Sequence, residues 1–157
     1  MNKTQITQKG ENKMGKHNNQ NNRNNNQQRP KPPKNPDPMS NTRTMGKEGM
    51  KIIHNIAFGT FNIFNDGHVF RNPDFVKATM VEVEKRLVDA RIHTMAIEYA
   101  YSGSNDPAVL NLLHRDRKSV EAYMLIQECL SNIIMSYGDT GFLLVLANKL
   151  PQFKYNI

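Results

Sequence analysis

The stretch Lys51-Ile52-Ile53-His54-Asn55-Ile56-Ala57-Phe58-Gly59-Thr60-Phe61-Asn62-Ile63-Phe64-Asn65-Asp66-Gly67-His68-Val69-Phe70-Arg71 decides the fold class. Ile56 and Phe58 alternate in one phase, and Phe61 and Ile63 in the other. Gly59 falls between them, where a β-bulge would absorb the change of phase. Asn65-Asp66-Gly67 suits a three-residue hairpin loop, with Gly67 free to take positive φ. Val69 and Phe70 return on the far side. These features predict a β-hairpin over 52–64 and 68–71.

Toward the C-terminus the pattern turns helical. Asn72-Pro73-Asp74 reads as a helix start: Asn caps, Pro suits the first helical position, and Asp complements the dipole. Val76, Met80, Val83 and Leu87 follow at helical spacing, with Glu82 and Arg86 as an outer i,i+4 pair. Residues 92–101 fit two periods. Met95, Ile97, Tyr99 and Tyr101 alternate as in a strand, while Val88, Ile92, Met95 and Tyr99 continue a helical stripe. Ala96, Glu98 and Ala100 tip the reading to helix.

Asp106-Pro107 repeats the cap-then-proline signature and predicts a short helix to His114. A longer helix over 118–137 should follow. Its apolar arc includes Ala122, Leu125, Ile126, Cys129, Leu130, Ile133, Ile134 and Tyr137, which marks it as the central core helix. Gly138 is placed to end it. Residues 142–150 fit either a buried strand or a last helix capped by Asp139 or Thr140; the Leu content and Pro151 just past the end favour helix. Phe153, Tyr155 and Ile157 alternate as an edge strand would. The expected fold is α+β and helix-dominated: an N-terminal β-hairpin packed on three to five helices.

Toward the N-terminus the composition changes. Residues 18–28 are Asn or Gln everywhere except Arg23, and five prolines fall within 29–38. Such a segment has no apolar face with which to offset the entropy of ordering. Residues 1–50 therefore read as a long disordered basic arm, and 51–157 as one small globular domain. All twelve Phe and Tyr residues lie at or beyond Phe58. Ten Lys or Arg stand against three acids in 1–50, and eleven against eleven in 51–157, so the net charge of +7 belongs to the arm.

A cationic arm on a neutral body points to a polyanionic partner. The candidate phosphate contacts are Lys9, Lys13, Lys16, Arg23, Arg29, Lys31, Lys34, Arg43 and Lys47. Arg115, Arg117 and Lys118 add a second cluster at the expected junction between two helices. Spaced cations on a flexible chain neutralise phosphates without reading sequence, and without an aromatic side chain the arm cannot be a stacking platform for single strands. The expected protein is a non-enzymatic, nucleic-acid-associated accessory or structural protein, with a body that binds a protein partner or itself. Exposed Met124 and Met135 would suit such contacts. The alternative is a protein-interaction adaptor or regulator whose arm is only a tether. A separate reading of the arm is a peptide ligand: Pro30, Pro33 and Pro36 lie along one edge of a polyproline II helix, which an SH3-like domain could use.

Catalytic and metal motifs are sparse. His54, His68, His93 and His114 are scattered, without metal-site spacing. Asp66 at a strand end resembles one acid of a two-metal nuclease, but that chemistry needs several convergent carboxylates. A pocket gathering two or more of Asp66, His68, Glu82, His93 and Glu98 would restore an enzymatic reading. The single Cys129 reads as packing, and no cofactor is implied. With no apolar run long enough to span a bilayer, the expectation is a soluble intracellular protein, cytoplasmic or within a virion, with no membrane partner.

Overall fold

Three Asx-Pro dipeptides open three long helices. Asp37, Asn72 and Asp106 each accept, through a side-chain oxygen, the backbone N–H two residues on, at 3.1, 3.0 and 2.9 Å. Pro38, Pro73 and Pro107 follow at the helix start, where the missing N–H costs nothing and φ is already helical. The helices are α1 (Pro38–Ala57), α2 (Pro73–Ala100) and α3 (Pro107–Met135), followed by a short α4 (Phe142–Lys149). Single 3-10 turns lie at Gly67–Arg71 and Leu150–Phe153.

The structure, a computed structural model, describes residues 37–157. No strand occurs among them, which overturns the α+β expectation. The hairpin over 52–64 and 68–71 is absent. Residues 52–57 are the end of α1, whose inner face is Gly46, Gly49, Met50, Ile53, Ile56 and Ala57, all buried. That spacing is helical, and it is invisible when the reading begins at residue 51. Gly59 is not a bulge but a helix terminator. Its φ is +72°; its N–H bonds the Ile56 carbonyl at 3.2 Å and the Thr60 N–H bonds the Asn55 carbonyl at 2.9 Å. This is the paired C-terminal bonding of a Schellman motif. Residues 38–50, expected within the arm, are helical, and Met50 is fully buried. The rest of the expected disordered arm, residues 1–36, lies outside the described residues.

Three further expectations change. Residues 114–118 are not a junction, because α3 runs unbroken through them. The tail is not an edge strand: Phe153 closes a 3-10 turn and is buried, and Tyr155 meets Phe58 edge-on at 6.0 Å. The central helix is α2, not α3, since α2 packs against both α1 and α3. Helix over 92–100 and 142–149 agrees with the helical alternative favoured from sequence. In α3, Ala122, Ile126, Cys129, Leu130 and Ile133 are buried as expected, but Tyr137 is fully exposed at φ +56°. Tyr137 and Gly138 form a second Schellman ending on Ile134 and Ile133.

α2 and α3 are joined by a six-residue loop and run antiparallel, with His93 bonded to Asp116 and Val76 near Ile133. α1 and α2 run in the same sense. Gly46 backs onto Ala78, and His54 lies close enough to Arg86 to feel its charge. A parallel pair needs a long connection, which residues 58–72 supply. α4 and the final 3-10 turn cover α1 and α3. They close a core around Phe70, Val83, Leu87, Ile126, Leu130 and Leu143.

Candidate nucleic-acid interface

Where α1 crosses α2, two glycines let the backbones approach. A Cβ on Gly46 would lie 2.7 Å from the Ala78 carbonyl oxygen, and one on Gly49 would lie 1.9 Å from Thr79 Oγ1. Beside this crossing is a groove of about 550 Å³ lined by Arg43 and Lys47 of α1 and by Val81, Glu82 and Lys85 of α2. Arg43 and Lys47 are one helical turn apart, so both face the groove. No ion pair forms at Arg43, Lys47 or Lys85 among the described residues. The one carboxylate present, Glu82, is held by Arg86 at 2.9 Å. The groove thus presents a guanidinium fork and two ammonium groups, with its one carboxylate engaged by Arg86, a donor set suited to phosphate oxygens. Lys85 was not among the residues singled out from sequence. No local pattern distinguishes it from other surface lysines; only the helix crossing brings it to Arg43 and Lys47.

The second cluster is arranged differently. Arg117 bonds Glu98 at 2.7 Å, Lys118 bonds Glu121 at 2.8 Å, and Arg115 lies 3.7 Å from Asp116. Lys118 also sits 5.5 Å over the Phe153 ring. Each cation of this set already has an acidic neighbour, so a phosphate would compete with a carboxylate there. Lys9, Lys13, Lys16, Arg23, Arg29, Lys31 and Lys34 lie outside the described residues.

Asp116 is the one buried carboxylate among the described residues. It accepts from His93 Nδ1 at 2.7 Å and ties α2 to α3 in a shallow groove shared with Arg86, Asp89, Ser119 and Tyr123. None of Asp66, His68, Glu82 or Glu98 lines that groove. The Asp66 carboxylate accepts the Asn62 N–H at 3.0 Å and so closes a turn. Burial, reinforced by the Arg86 guanidinium, holds His54 below the ordinary imidazole value. Among the described residues no group of three His, Cys, Asp or Glu could hold a metal ion, and no helix is long and apolar enough to cross a membrane.

The charge division is sharper than the sequence reading placed it. Residues 1–36 carry eight Lys or Arg and one acid, Glu11; residues 37–157 carry thirteen of each. The +7 therefore belongs to residues 1–36, and the described helices are neutral. No family model, curated protein or solved structure matches the chain.

Proposed function

We propose that this protein is a non-enzymatic, nucleic-acid-associated accessory or structural protein that grips phosphate backbones without reading sequence, and that its helical body associates with protein, including itself. The observation that carries the reading is charge segregation. The eight cations of residues 1–36 precede a neutral body, whose cationic groove of Arg43, Lys47 and Lys85 holds no competing free carboxylate. Cations on a chain segment release counterions from nucleic acid, and a small groove of fixed cations adds to that affinity.

Salt dependence tests it. Full-length protein binding a labelled duplex should show log affinity falling against log salt with a slope of roughly −5 if about six phosphates are neutralised. Arg43→Gln, Lys47→Gln and Lys85→Gln together should reduce the steepness by roughly 2 to 3, and deletion of residues 1–36 should remove most binding. A salt-independent or unaltered affinity in both variants would count against the reading. The alternative, an adaptor with an inert tether, draws support from a solvent-facing apolar stripe on α2. It predicts weak binding that deletion leaves unchanged.

A further inference from the structure

The last turns of α2 bury little. Beyond Leu87 only Thr94 and Ile97 are buried, both on the side facing α3. Along these turns Val88, Ile92, Met95 and Tyr99 are 45%, 61%, 67% and 90% exposed. Their spacing of four, three and four residues is that of a coiled-coil seam. The four lie within a narrow arc of the helix, unlike singly scattered surface apolar residues. Beside Met95 the seam opens into an apolar groove of about 370 Å³ between α2 and α3, lined also by Arg91, Thr94 and Val120.

We propose that this stripe is a homodimer seam, in which α2 packs antiparallel on α2 of a second copy. Four observations select that occupant. A two-fold interface must be self-complementary, and the 4-3-4 spacing reads the same in reverse. Pairing Val88 with Tyr99 and Ile92 with Met95 of the second copy makes four layers, each joining a larger side chain to a smaller or more pliable one. On one flank that register sets Arg91 opposite Glu98 of the second copy, twice by symmetry, so opposite charges meet. Finally, residues 1–36 contain only Met1, Ile6 and Met14 as large apolar side chains, so their composition holds no matching stripe. Glu98 already holds Arg117 within its own chain, and Arg91 of the second copy would join that pair.

The inference deepens the self-association part of the proposed function and is independent of its phosphate part. Two chains per particle would also double the cations presented to one nucleic acid, which multiplies avidity.

The test is the mass of the full chain by light scattering across a concentration series in high salt, where nucleic acid is released. Twice the chain mass is expected. Ile92→Glu and Met95→Glu place a charge in the seam at positions exposed in the single chain. Each should keep its helical circular dichroism and weaken dimerisation by roughly a hundredfold or more. Register is read separately: an Ile92→Cys chain mixed with a Met95→Cys chain should form disulfides mainly between unlike chains. A single-chain mass at every concentration overturns the proposal, even if the stripe binds some other helix. A dimer unmoved by both Glu variants, or crosslinks mainly between like chains, also overturns it. A single-chain particle that still binds nucleic acid with a steep salt slope would leave the phosphate reading standing, so the two readings fail separately.

Discussion

Cys129 shows how one side chain can be settled by its surroundings. Its Sγ lies 3.4 Å from the Phe142 carbonyl oxygen, inside the α3–α4 contact. Burial, with the Glu128 charge beside it, raises the thiol from its ordinary 9.0 to about 12. The folded protein then keeps a proton that the unfolded chain releases between those values. Stability is complete below pH 9 and should fall as pH rises through that window, by about 1.4 kcal/mol per unit at most. Comparing denaturation of the native chain and Cys129→Ala from pH 8 to pH 11 checks this: the difference in slope should appear only above pH 9. The inertness of this thiol was legible from its apolar neighbours in the sequence. The start of α1 was also written there. Asp37-Pro38 has the form of Asn72-Pro73 and Asp106-Pro107, but it ends a proline-rich run, and its polyproline context masked the cap.

At the scale of the element, α1 explains why the fold class was misread. Gly46 and Gly49 resemble helix breakers, since each costs about 1 kcal/mol relative to Ala in a helix. They are kept in register because α2 lies against them. Taking residue 51 as the start of the domain removed half of the helical period, and the remaining Ile56, Phe58, Phe61 and Ile63 imitated two strands. The long helices α2 and α3 were legible because their apolar repeats lie within single caps. The cationic groove was legible only in part: Arg43 and Lys47 were named, but Lys85 joins them through a crossing that no local pattern encodes. Gly49→Ala should gain helix propensity yet lose more to the clash with Thr79, lowering stability by about 1–2 kcal/mol net in urea denaturation. Adding Thr79→Ala, which removes the Oγ1 and Cγ2 contacts at 1.9 and 2.7 Å, should recover part of the loss. A stabilising Gly49→Ala would mean that the helices are not in such close contact.

For the whole molecule, the division between arm and body has a practical edge. Deleting residues 1–36 leaves every described contact in place. Deleting 1–50 also removes Met50 from the core, and loss of a large buried side chain alone costs about 2–5 kcal/mol. The shorter deletion should melt near the full-length temperature, whereas the longer one should unfold far below it or fail to fold. A binding defect seen only on deleting 1–50 would thus report lost structure rather than lost cations. The equal count of thirteen cations and thirteen acids in residues 37–157 has another consequence. Near neutral pH the helical part sits at its isoelectric balance, where copies do not repel one another and solubility passes through its minimum. The leading cations should then also keep the particles apart in solution, and a polyanion that neutralised them should remove that repulsion and let the particles condense.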